Sequence, residues 1–177
     1  MSEIILAVSG SPCTSKTTLA DKLSESLGFE VVHLSDFVKA ENLSIGFDER
    51  RDTSVVDVAK LARRFRVRMA GRDNLIVDGL LSHLLPVTHV IVQRASPLLL
   101  EKRMLERGYS REKIKENLEA EYLGVILHEA LERCKNVLEL DSTRGVDVKE
   151  IKDWLSKGGV RVVEVDWSEE FMETLNH

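Results

Sequence analysis

The sequence predicts an α/β domain built on a mostly parallel, five-stranded sheet with helices on both faces. Three observations carry that prediction. Short apolar runs alternate with segments of helical spacing four times along the chain, the pattern of βα units that makes neighbouring strands parallel. The first unit joins Ile4-Ile5-Leu6-Ala7-Val8 to Gly10-Ser11-Pro12-Cys13-Thr14-Ser15-Lys16-Thr17-Thr18, a tight turn and a lysine between a buried strand and a helix. A later run, Asn74-Leu75-Ile76-Val77-Asp78, ends in a carboxylate at the strand end where such sheets bind ligands.

Bulk properties narrow the function. With 177 residues, 43% hydrophobic and 31% charged, the chain suits one domain over residues 1–177. Its apolar runs fall well short of the roughly 20 residues of a membrane span, and its start lacks a signal-peptide layout. A cytoplasmic protein without a membrane partner is expected. Cys13 and Cys134 read as free thiols of a reducing compartment. A net charge of −5 argues against a broad, sequence-independent grip on nucleic acid. It suits a nucleotide enzyme with a local basic pocket, or a protein whose partner is basic.

Residues 3–9 form the first expected strand. Residues 16–27 form its helix, with Leu19, Leu23 and Leu27 on one side and Gly28 as the stop. Between them, Pro12, Cys13, Thr14, Ser15, Lys16, Thr17 and Thr18 are the expected cofactor-binding segment. Main-chain amides at a helix N-terminus wrap a β-phosphate, while Lys16 meets the β/γ oxygens and Thr17 offers its hydroxyl to Mg²⁺. Ser15 stands where the phosphate-loop pattern has glycine, at a cost of about 1–2 kcal/mol if its φ is positive. The alternative is a plain strand-to-helix turn capped by Ser15 or Thr14.

Glu30 to Leu34 reads as the second strand, and Ser35-Asp36 as the cap of a short helix to about Glu41. Residues 42–52 are charge-dense without a period, which suggests a mobile or ligand-covering loop. From Ser54 to about Ala70, Val55, Val58, Leu61, Ala62, Phe65 and Met69 recur at helical spacing. Arg64, Arg68 and Arg72 line the other side, as a solvated face or as a surface for phosphate or ribosomal RNA. Asp78 closes the third strand, either as a ligand of a catalytic magnesium or as a cap before Gly79.

A loop with Ser82 and His83 leads to the fourth strand, Thr88 to Arg94. Ser96-Pro97 starts a helix that runs to Arg107-Gly108-Tyr109, where a glycine lets a lid hinge over developing negative charge. Ser110 starts one long amphipathic helix with Ile114, Leu118, Tyr122, Val125 and Ala130 on its buried side. Asn136 to Asp141 is the fifth strand, and Val148, Ile151, Trp154 and Leu155 mark the last helix. Val160 to Val165 reads as an extra edge strand, followed by an acidic tail whose Trp167 and Phe171 dock on the domain itself or on a partner.

Several stretches together resemble one family. They are Gly10-Ser11-Pro12 with Lys16-Thr17-Thr18, Phe47-Asp48-Glu49 followed by Asp52, Val77-Asp78-Gly79 with Ser82-His83-Leu84-Leu85-Pro86, and Glu101 to Tyr109 with Arg107-Gly108-Tyr109. The family is that of the small adenylate-kinase-like ATPases that assist maturation of the small ribosomal subunit, including the coilin-interacting nuclear ATPase and its archaeal relatives. The likeness covers roughly residues 3 to 155 and is nearest to the archaeal branch. It implies a P-loop NTPase fold of nucleoside-monophosphate-kinase type, with a monophosphate-binding segment near 31–54, a lid near 106–116 and a C-terminal extension over about 158–177.

The same resemblance implies ATP and Mg²⁺ as cofactors and phosphoryl transfer to a nucleoside monophosphate, AMP first among them. It also implies ATP hydrolysis, transient binding of a small-subunit ribosomal protein, and rRNA processing with a possible rRNA contact. Lys16, Asp78 and Arg107 are the implied catalytic residues, Arg107 also reaches the ATP phosphates, and Thr17 and Asp78 hold the metal. A monophosphate needs cations, and the 31–54 segment supplies Lys39 and Arg50 or Arg51. The chain departs from the family at Cys13 and Ser15, which replace loop glycines, and at Leu80, where a histidine implicated in orienting water is usual. Two other readings stay open: a nucleotide-gated ribosome-assembly factor with little or no turnover, and a kinase for another small acceptor such as shikimate or a sugar.

Overall fold

A computed structural model describes residues 4–49, 52–143, 145–163 and 165–175. The first βα unit is β1 (Ile5–Ser9) and α1 (Lys16–Leu27), and α1 stops at Gly28. Next come β2 (Glu30–His33) and α2 (Leu34–Ala40). This helix begins directly on the strand with no side-chain cap, so the expected Ser35-Asp36 cap is not used.

The charge-dense stretch is a hairpin. Strand β3 (Ser44–Asp48) pairs antiparallel with β4 (Thr53–Val56), a two-stranded sheet of its own. Ser44-Ile45-Gly46-Phe47 hides its alternation because both faces stay open, with Ile45 and Phe47 exposed. The β-branched run Thr53 to Val56 favours a strand, so the helix expected from Ser54 begins later, as α3 (Val58–Arg68), where Asp57 accepts from the Lys60 amide.

The chain continues through β5 (Leu75–Asp78), a short 3₁₀ turn at Ser82–Leu84, β6 (His89–Arg94) and α4 (Pro97–Glu106), which is capped by Ser96. One long helix was expected after Ser110, but two form: α5 (Arg111–Tyr122) and α6 (Val125–Arg133). Gly124, at φ 64°, takes the left-handed turn that breaks them apart. Then come β7 (Val137–Asp141), α7 (Val148–Lys157), β8 (Val160–Arg161) and α8 (Ser168–Thr174).

Among the described residues the main sheet has six strands rather than five, in the order β2-β5-β1-β6-β7-β8, every pair parallel. The sixth, β8, is the extra edge strand, only two residues long and paired to Val137 and Leu138. Successive side chains of a strand point to opposite faces, so Leu6 and Val8 join Leu23, Ile76, Ile91 and Trp154 under α1 and α7. On the other face Ala7 joins Leu34, Phe65, Val77, Val90 and Val92 under α2, α3 and α6. Each large side chain buried this way is worth about 1.5–3 kcal/mol. A third cluster, Cys13, Ala95, Leu100, Met104, Ile114 and Leu118, ties the loop after β1 to α4 and α5.

Helix α8 packs on α4 and α5, with Phe171 stacked on Tyr122 at 4.3 Å and Trp167 over Arg94. Among the described residues no helix is long and apolar enough to cross a membrane.

Candidate active site

The strand order brings the two informative stretches together. Strand β5 lies beside β1, with Asp78 opposite Val8, so the carboxylate arrives next to the turn that leads into α1. Strand β2 lies on the other side of β5, with His33 opposite Asp78.

The turn is held open by its backbone. Gly10 permits a close crossing of β6: a Cβ there would stand 2.2 Å from the Gln93 carbonyl oxygen. Cys13 and Ser15 both have φ of 68°, and left-handed residues spaced along a turn make a concavity that suits an anion. Ser15 makes no side-chain cap bond, and Thr14 spends its hydroxyl on the Ser11 carbonyl at 2.9 Å. The plain-cap alternative is therefore not realised, and no acidic side chain occupies the first turn of α1.

Lys16 donates to the same Ser11 carbonyl at 2.8 Å. Burial lowers its pKa to about 8, with Asp78 acting in the opposite sense. Thr17 Oγ1 donates to Asp78 Oδ2 at 2.6 Å, and His33 Nδ1 meets Asp78 Oδ1 at 2.7 Å. Asp78 is only 5% exposed, and its hydrogen bond raises the His33 pKa. Lys16, Thr17 and Asp78 open onto a cleft of about 630 Å³ walled by α2, the hairpin and Leu80.

The other expected residues surround this centre. Ser15 and Thr18 border a cavity of about 220 Å³ that reaches Lys22, Gln93 and Val146. The buried Oε1 of Gln93 finds no partner among the described residues. Pro12 and Leu80 border a further opening of about 550 Å³ with Tyr109 and Lys113. Cys13 turns into the cluster under α4. Arg107 stands exposed at the end of α4 near Tyr109, and its charge pushes the Lys16 pKa down.

Lys39 lies on the wall of the main cleft, 4.0 Å from Asp36. Arg50 and Arg51 lie outside the described residues. The arginine row is a paired face: Arg64 and Arg68 bond Glu41 at 2.6 and 2.5 Å, and Arg72 meets Glu30 at 3.2 Å. His83 is 2% exposed. Burial lowers its pKa, so the neutral ring donates from Nε2 to Glu129 and accepts at Nδ1 from Ser9, both at 2.8 Å.

Sequence reasoning missed three residues. His33 lies inside the expected second strand with no local signal of a role, and only the strand order places it on Asp78. Arg103 donates to the Cys13 carbonyl at 3.0 Å; its spacing of four from Arg107 on one helix was the available signal. Glu121, buried at 2% exposure, accepts from the Ser11 hydroxyl at 2.5 Å.

A family model described as an AAA domain matches residues 6–124. A "Putative adenylate kinase" of Thermococcus gammatolerans is 43% identical over 176 residues, covering 97% of each chain. One of Methanocaldococcus jannaschii is 34% identical over 173 residues, covering 96% of each. Among solved structures, a shikimate kinase from Acinetobacter baumannii in complex with shikimate superposes with a TM-score of 0.61. At 12% identity, over 88% of this chain and 94% of that one, it shares the fold.

Proposed function

We propose that this chain, which belongs to the family of the archaeal proteins named "Putative adenylate kinase" and carries an AAA domain, is an ATP-dependent nucleoside-monophosphate kinase that uses AMP. One observation carries the reading: the Thr17–Asp78 hydrogen bond joins the loop to the acidic strand end at the floor of an open cleft. A P-loop enzyme holds its magnesium with that pair of residue types.

The residues fit the cofactors. Mg²⁺ takes one or two protein oxygens beside phosphates and waters, and a hydroxyl with one carboxylate meets that need. When bound, the ion neutralises charge on the transferring phosphoryl group. The bare first turn of α1 and Lys16 suit the β- and γ-phosphates. Gln93, an acceptor without a partner beside the loop, supports an amine-bearing base in the adjoining cavity.

Catalysis then rests on positioning and electrostatics rather than covalent chemistry. Lys16 contacts the reacting phosphates, Thr17 and Asp78 would hold the ion that faces them, and Arg107 brings a second cation from the lid near 106–116. The 31–54 segment, with Lys39 on the cleft wall, aligns the acceptor. Leu80, 45% exposed at the same cleft, cannot orient a water, which favours transfer to the monophosphate over hydrolysis. The test is ADP formation from ATP, AMP and Mg²⁺. Lys16→Ala is expected to abolish it, and wild-type activity no higher than that variant's would end the reading.

A second reading, cytoplasmic assembly of the small ribosomal subunit with ATP gating a ribosomal-protein complex, is favoured by the β3–β4 hairpin. It presents Phe47, 59% exposed, on the wall of the main cleft, and Ile45, 62% exposed, on the same strand. Tight, ATP-dependent binding of a small-subunit ribosomal protein without ADP formation would favour it over the kinase. The paired arginine row lends no support to an rRNA contact.

A further inference from the structure

The Ser11 carbonyl is the seat of Lys16, because it accepts the lysine ammonium at 2.8 Å together with the Thr14 hydroxyl at 2.9 Å. Whatever orients Ser11 therefore orients the cation that meets phosphate. Its side chain is held by Glu121, from the last turn of α5. The other Glu121 oxygen accepts from Arg94 Nε at 2.7 Å and from the Ala95 amide at 3.2 Å, and the Glu121 carbonyl accepts Arg94 Nη2 at 2.5 Å. Arg94 also donates to Glu139 at 2.7 Å, so two buried carboxylates share one guanidinium.

We propose that Glu121 is a positioning residue for phosphoryl transfer: it locks the phosphate loop through Ser11 and so fixes where Lys16 sits. This rests on the kinase reading above. A buried carboxylate close to a polyphosphate site opposes an anionic ligand, so attracting ATP is not what it is suited to do. A buried acceptor that fixes one hydroxyl in a single orientation is suited to holding geometry, and misplacement of a reacting group by 1 Å costs on the order of 10²-fold in rate.

Glu121→Gln isolates the effect. Arg94 and the Ala95 amide both donate to Oε1, so the glutamine oxygen turns toward them and its NH₂ faces Ser11; the short charge-assisted bond that the Ser11 hydroxyl donates gives way to a weaker neutral one that it accepts, which frees its proton to turn away. The expected result is a fall in kcat of about ten- to a hundredfold with KM for ATP unchanged or lower. Ser11→Ala, which leaves the Arg94 contacts in place, is expected to lower kcat by a similar factor, and the double variant to lose no more than either single one.

Amide hydrogen exchange gives a readout that needs no turnover. Residues 10–16 should exchange about tenfold faster in Glu121→Gln, while the sheet is unaffected. Unchanged exchange in the loop, a lower Tm with kcat preserved, or a rise in KM that accounts for the whole loss would each overturn the proposal. Absence of ADP formation in wild type, by contrast, would sink the kinase reading and leave the exchange experiment to decide the lock.

Discussion

Replacing Ser15 with glycine should make the protein more stable. Ser15 sits at φ 68° and ψ 34°, and a left-handed residue with a Cβ carries about 1–2 kcal/mol of strain. Its side chain is exposed and caps nothing, so removing it breaks no bond at the helix start. Glycine also gives the unfolded chain more freedom, which offsets about 0.4–1 kcal/mol. The net gain is about 0.5–1 kcal/mol, or about 1–4 °C in Tm for a domain of this size.

Thermal unfolding of Ser15→Gly beside wild type reads this directly. Cys13→Gly is the internal control, because it has the same φ but a side chain buried under α4, and lost packing cancels most of its gain. The glycine at 15 also clears the loop mouth, so ATP should bind about two- to fivefold more tightly, the equivalent of a similar free energy. An unchanged or lower Tm for Ser15→Gly, or equal gains at both positions, would refute the strain argument.

Leu80→His restores a hydrogen-bonding side chain at a 45% exposed position between the two clefts, at little cost in stability. ATP hydrolysis without an acceptor should rise severalfold, read as phosphate release, and an unchanged rate would show that position 80 does not reach the attacking water. His83 predicts a pH effect on stability. Burial holds its folded pKa below the usual 6.5, so its contribution is complete above pH 6.5 and declines as pH falls toward the folded value, where only the unfolded chain has taken up the proton. Urea unfolding between pH 5 and 8 should show that slope, flattened in His83→Gln; an equal slope in the variant would assign the effect elsewhere.

What the sequence made legible is what depends on neighbours along the chain. The loop from Gly10 to Thr18 and the strand ending at Asp78 are local patterns of apolar runs, turn residues and a terminal acid, and both stand where those patterns put them. Their meeting depends on β5 lying beside β1, which one sequence does not encode in any local signal. For the same reason His33 looked like an ordinary strand residue, although β2 pairs with β5 and sets it on the Asp78 carboxylate. The hairpin escaped because a two-stranded sheet open on both faces has no buried side to impose alternation. The break at Gly124 was hidden by apolar residues that keep helical spacing across it.

The C-terminal segment gains its meaning from the same buried group. Trp167, 9% exposed, covers the Arg94 guanidinium at 5.2 Å, and the Val163 amide donates to Glu139 at 2.9 Å. The Trp167 ring keeps water from Arg94 and the Val163 amide fixes Glu139, the second carboxylate on that guanidinium, and hydrogen bonds in a drier site are stronger. Arg94 in turn holds Glu121, which holds Ser11, on which Lys16 rests. A tail that lies beyond the phosphate-loop motifs thus shields the floor of the loop, so its removal should loosen residues 10–16 before it disturbs the sheet.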